Sequence, residues 1–221
     1  MNLPDTLLGD GWYWAAWVVW APLFARSLFK APWGRLGDSG QLNVWLGMIV
    51  LLTLVWSLQA GVKPGLSMHL LGATVFTLSF GPYLAFVGLS LVLLATSLNG
   101  GVGLFAYAIN ALLMAGVGVL LSQTLYRLVV RFLPRHFFIY VFVNGFFAAA
   151  LTVIGVGFVA ALLLVVAGAY EWDYLATEYL PYFLLLGFSE AWLSGMLMTL
   201  FVIYRPHWVC TFDDASYLAN K

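Results

Sequence analysis

FFIYVFVNGFFAAALTVIGVGFVAALLLVVAGA, residues 137–169, contains no charged side chain and a single amide, Asn144. A bilayer's hydrocarbon core is about 30 Å thick and takes about 20 apolar residues to cross as helix. This run exceeds that length, and no soluble domain places so long an apolar segment in water. The run therefore reads as a membrane span, and the rest of the chain supplies more of the same. Comparable stretches cover residues 12–29, 42–58, 66–98, 103–130 and 179–204. The stretch at 66–98 is divided by Gly81-Pro82; proline removes a backbone donor and disfavours helix in the residue before it. About 15 residues precede the break and about 17 follow it, worth roughly 22–26 Å of helix at 1.5 Å per residue. They read either as two short spans or as a re-entrant hairpin.

Composition agrees. The 221 residues are 63% apolar and 8% charged, and mean hydropathy is +0.97. Soluble domains are about 45–50% apolar and about 25% charged. Nine acidic and nine basic side chains cancel, so the chain has no basic footprint for nucleic acid. Ten Trp, eleven Tyr and seventeen Phe suit aromatic belts at the membrane interfaces. A single cysteine, Cys210, excludes an intramolecular disulfide framework and any multi-cysteine metal site. The expected fold is an all-α polytopic membrane helical bundle of about six to seven spans, with the Gly-Pro-broken stretch at 66–98. Residues 1–221 read as a single integral-membrane helical domain.

Charge sets the orientation. Arg26, Lys30, Arg35, Arg127, Arg131, Arg135, Arg205 and Lys221 fall on one side if the 66–98 stretch crosses an even number of times, leaving Lys63 as the exception. Asp5, Asp10, Glu171, Asp173 and Glu178 fall on the other. The positive-inside rule then predicts an external N-terminus and a cytoplasmic C-terminus, in the cell (inner) membrane. The first span lacks a basic n-region and a small-residue cleavage site. It is expected to be retained, together with Met1, whose amine would then face outward.

Ionisable or amide side chains within apolar spans mark candidate function, because placing them there costs several kcal/mol unless they are paired or wet. His69 reads either as an interfacial histidine bonded to a neighbouring carbonyl or as a metal ligand, since neutral imidazole suits nickel, cobalt, copper and zinc. Glu190 lies beside the small-residue stripe Gly187, Ala191 and Gly195. There it reads as a helix-to-helix hydrogen-bond acceptor, with direct substrate contact as the alternative. Asn110 and Asn144 read as intramembrane interhelical partners. His207-x-x-Cys210 with Asp213 and Asp214 reads as an ordinary solvated tail. No GxxxxGK[ST], HExxH or GxSxG occurs, and the three histidines at 69, 136 and 207 are scattered. ATP hydrolysis through a P-loop is excluded. Nothing pairs His69 or Glu190 with a nucleophile or a cofactor, so no enzyme activity and no cofactor are expected.

Ser67-Met-His69-Leu-Leu-Gly72-Ala-Thr74, followed by Phe80-Gly81-Pro82, Asn99-Gly100-Gly101-Val-Gly103, Ala108-Ile-Asn110, Gly187-Phe-Ser189-Glu190-Ala191 and Tyr204-Arg205-Pro206, resembles the CbiM/NikM-type family. Its members are the substrate-capturing membrane subunits of energy-coupling-factor cobalt and nickel importers. The resemblance implies a permease for a divalent transition-metal ion, cobalt or nickel, working with a separate transmembrane coupling subunit and cytoplasmic ATPases. The stripe at Gly187, Ala191 and Gly195 is then a candidate docking face. The resemblance also implies a ligand set: the amine of Met1, the backbone nitrogen of Asn2 and the imidazole of His69. The family begins Met-His, whereas this chain begins Met1-Asn2. One imidazole is therefore missing, and the Asn2 amide oxygen, Asp5 or water remain to fill its place. The alternative function is a non-transporting membrane accessory protein that keeps the fold without the metal site.

Overall fold

The computed structural model describes residues 2–61, 63–99 and 103–218. Met1, Gly100, Gly101 and Lys221, named above, lie outside them. Long apolar runs become long helices because a chain in lipid has to satisfy its backbone polar groups internally. These are α1 (Asp10–Lys30), α2 (Ser39–Ser57), α3 (Ala73–Phe80), α4 (Pro82–Leu98), α5 (Tyr107–Phe132) and α6 (Phe137–Val166), followed by α7 (Trp172–Glu178), α8 (Leu180–Tyr204) and a terminal turn α9 (Asp214–Leu218). Among the described residues, α2, α5, α6 and α8 are each long and apolar enough to cross a bilayer.

The break at Gly81-Pro82 forms as expected: α3 ends at Phe80, Gly81 adopts φ 80°, and Pro82 opens α4. The half before the break differs from expectation. Residues 66–72 are not helical, with a short strand at 67–68, and α3 has only eight residues, about 12 Å of helix. Gly72 explains the late start, since its φ of 68° is left-handed and an ideal Cβ there would lie 2.6 Å from Leu52 Cδ2. Ser67–Met68 pairs antiparallel with Ala60–Gly61, which holds the extended segment open.

All eight residues of α3 are buried, so this short helix is the axis around which the spans pack. Thr74 Oγ1 meets Ser122 Oγ at 2.9 Å, and Ser122 meets Thr152 Oγ1 at 3.2 Å. This hydroxyl chain ties α3 to α5 and α6 in a dry interior, where each bond contributes about 0.5–1.5 kcal/mol. The packing of α8 on α6 puts Gly187 against Ile154 and Gly195 against Phe146. The stripe with Ala191 is thus consumed inside the bundle, which corrects its expected role as a docking face. The opposite side of α8 exposes Leu184, Leu185, Phe188 and Trp192. Both α5 and α6 contain π-helical turns, at Leu112–Val117 and Tyr140–Phe147, a local widening that is common at functional sites.

The tail is also more ordered than expected. Cys210 N–H donates to Ser79 O at 3.0 Å, and Thr211 Oγ1 to Leu78 O at 2.8 Å. These donors serve the carbonyls that α3 leaves free at its C-terminal end, so the tail straps that end instead of hanging in solvent. Among the described residues no three His, Cys, Asp or Glu side chains gather to hold a metal, and Cys210 is a free thiol.

Candidate metal site

Residues 2–8 precede α1 and run into the bundle, and the buried Leu3 anchors them. A backbone entering a dry interior needs partners, and Asn110 supplies two. Leu3 N–H donates to Asn110 Oδ1 at 2.9 Å, and Asn110 Nδ2 donates to Leu3 O at 3.0 Å. Asn110, fully buried on α5, therefore bonds to the N-terminal segment, which corrects its expected role as an interhelical partner. Asp5 Oδ1 accepts from Ala106 N–H at 2.6 Å, and its carboxylate fills the space where a Cβ on Gly103 would stand. Tyr13 OH donates to Pro4 O at 2.7 Å while accepting from Leu8 N–H at 3.0 Å. Asn2 N–H donates to Ser67 Oγ at 3.1 Å. That bond joins the N-terminal segment to the extended segment that carries His69.

His69 is 7% exposed. Its ring lies 4.8 Å from that of Trp56, and its Nδ1 lies 3.0 Å from Leu70 O. A bond to a carbonyl requires Nδ1 to carry the proton, which leaves the lone pair on Nε2. Among the described residues buried Nε2 has no hydrogen-bond partner, and neither has Asn2 Oδ1. Buried polar atoms are usually satisfied. These two acceptors lie on segments joined by the Asn2–Ser67 bond. His69 lies outside the helical spans, and burial pushes its imidazole down to about 3, which keeps it neutral and able to ligate. A depression of about 470 Å³ lies over Asn2, lined also by Pro4, Gln59, Lys63, Gly65 and Ser67. The Lys63 ammonium sits 4.0 Å from the centre of the Tyr174 ring.

Glu190, 3% exposed, accepts from Leu71 N–H at 2.7 Å and from Gly72 N–H at 2.6 Å. Its partners are backbone groups of the His69 segment, and neither Asn110 nor Asn144 bonds to it. Asn144 departs from expectation: it lies within the π-helical turn of α6, and its buried Oδ1 has no partner among the described residues.

The family description "cobalt uptake substrate-specific transmembrane region", CbiM, matches residues 2–208. The chain belongs to the CbiM family. Two similar crystal structures extend the comparison to coordinates. One, of a truncated transition metal transporter, is 18% identical with a TM-score of 0.79, over 92% of this chain and 99% of that one. The other, of a transition metal transporter, is 17% identical with a TM-score of 0.77, over 94% of this chain and 96% of that one. At such identities the likeness establishes the fold. No curated protein sequence matches the chain. CbiM is a membrane transport component and not an enzyme.

Sequence reading named Asn2, His69, Asn110 and Glu190, and the structure sets Asn2, Asn110 and Glu190 in contact with two connected segments, 2–5 and 67–72. It did not single out Trp56, Ser67, Tyr13 or the Asp5–Gly103 contact as parts of the site. Trp56 is one of ten tryptophans and carries no distinguishing pattern. The Asp5–Gly103 contact has one available signal, an aspartate and a glycine flanking two predicted spans.

Proposed function

We propose that this CbiM protein is the substrate-capture subunit of an energy-coupling-factor importer and that its cargo is a divalent cobalt or nickel ion. The observation that carries this reading is the buried Nε2 of His69, without a hydrogen-bond partner among the described residues and held in the ligating tautomer by Leu70 O. The proposed donors are His69 Nε2, the Met1 amine and Asn2. Asn2 takes the place where the family has histidine. Its N–H is engaged by Ser67 and its Oδ1 has no partner among the described residues, so Oδ1 is the donor it has to offer. Asp5 is already committed to Ala106. An amide oxygen is a harder donor than an imidazole nitrogen and suits Ni(II) less well.

With the basic side chains gathered on the C-terminal side, the N-terminus and the metal site face outward and the tail faces the cytoplasm. The chain has no nucleotide-binding motif, so energy comes from cytoplasmic ATPases through a separate transmembrane coupling subunit. The test is metal content by mass spectrometry on detergent-purified protein equilibrated with nickel or cobalt, beside His69→Ala. Near-stoichiometric metal that is lost in the variant is the expected result. Equal metal in both proteins, or none in either, rejects the reading, and the latter favours an accessory role for the fold.

A further inference from the structure

In segment 70–72 five backbone groups are taken up by specific neighbours. Leu70 O faces His69 Nδ1. Leu71 O accepts from Trp56 Nε1 at 3.3 Å, and Gly72 O accepts from Phe76 N–H at 3.1 Å. Two successive donors, Leu71 N–H and Gly72 N–H, are both held by one side chain on a distant helix, Glu190 of α8. Glu190 is the one buried charged residue among the described residues, and it spends one carboxylate oxygen on each N–H.

We infer that Glu190 is a positioning residue for His69: its carboxylate grips two successive N–H groups of the 69–72 segment and thereby aims His69 Nε2 at the cation. This rests on the reading of His69 as a ligand. The segment has no regular hydrogen-bonding ladder of its own beyond Met68, so its path between β-pair and α3 is set by such side-chain bonds. A two-point grip fixes both position and rotation of the peptide planes, where a single bond would fix only one. Outer groups that orient metal ligands are typically worth 10–100-fold in metal affinity.

Glu190→Gln is the discriminating variant. A side-chain amide offers one acceptor and one donor group, so it satisfies one N–H and opposes the other. Glu190→Asp keeps two acceptors on a shorter arm, and Gly187→Ala loosens the same helix by crowding Ile154 without touching the His69 segment. The full chain in detergent is titrated with Ni(II) and Co(II), with the Co(II) visible spectrum, thermal unfolding of the metal-free protein and amide exchange at Leu71 and Gly72 as readouts. Expected are about 10–100-fold weaker binding, a shifted Co(II) spectrum and faster exchange at both amides in Glu190→Gln, with Glu190→Asp intermediate. Gly187→Ala is expected to lose thermal stability while keeping wild-type affinity and spectrum. If Glu190→Gln does not fold, Glu190→Asp carries the same comparison.

Binding within threefold of wild type with an unaltered spectrum overturns the inference. So does a loss of affinity that merely tracks thermal stability across all three variants. Wild type that binds neither metal rejects the capture reading, and unchanged Leu71 and Gly72 exchange in Glu190→Gln then overturns the positioning role separately.

Discussion

Replacing Asn110 with alanine removes the clamp on the N-terminal segment while leaving every proposed ligand in place. The side chain makes two bonds to one residue, accepting from Leu3 N–H at 2.9 Å and donating to Leu3 O at 3.0 Å, and both residues are buried. Asn110→Ala strands one backbone donor and one acceptor in the interior, at about 1–3 kcal/mol each. The cost falls only on the docked segment, because an undocked one bonds to water. A penalty of about 2–6 kcal/mol lowers the docked-to-undocked ratio by roughly 30-fold to 10⁴-fold, at 1.4 kcal/mol per tenfold. Asn110→Asp keeps the acceptor for Leu3 N–H and loses the donor, so it is expected to fall between wild type and alanine. Amide hydrogen exchange at Leu3 and Leu8 reads the docked population directly, and metal affinity reads its consequence. Exchange at Leu3 as slow in Asn110→Ala as in wild type refutes the clamp. Fast exchange with undiminished metal affinity refutes the claim that the docked segment belongs to the site.

Two further outcomes follow from contacts nearby. Gly103→Ala sets a methyl group where the Asp5 carboxylate stands. It should release the Asp5–Ala106 bond and lower the melting temperature, yet become nearly neutral in an Asp5→Ala background; a double-mutant cycle with no coupling contradicts this. Asn2→His supplies a second imidazole to the proposed site and should raise Ni(II) affinity by tenfold or more in equilibrium dialysis, while equal or weaker affinity contradicts the assignment of Asn2 as a donor position.

The parts of this molecule that depend on hydrophobic length and on backbone punctuation were legible in the sequence. The uncharged run 137–169 specifies a long span and becomes α6. Gly81-Pro82 breaks the chain at the residue where proline cannot continue the preceding helix. The segment 66–72 reads as helix from its apolar composition, whereas the left-handed Gly72, close against Leu52, delays the start of α3.

The site was legible in its ionisable residues and illegible in its partners. Glu190 and Asn110 stand out as polar residues within apolar runs. Their partners are backbone groups of residues 71, 72 and 3, which have no side-chain signature and lie more than a hundred positions away. The stripe at Gly187, Ala191 and Gly195 could serve an internal or an external helix equally well, and composition does not say which. Its burial against α6 follows from where Ile154 and Phe146 fall. Asn144 shows the same gap in reverse, an amide within an apolar run whose oxygen has no partner among the described residues.

The central claim is that His69 Nε2 binds the cargo, and X-ray absorption at the metal edge of the nickel- or cobalt-loaded protein tests it most directly. The expected spectrum carries the multiple-scattering signature of a single imidazole, abolished by His69→Ala and unaffected by replacing His136 and His207. A loaded metal that shows no imidazole, or one whose imidazole survives the loss of His69, contradicts the account.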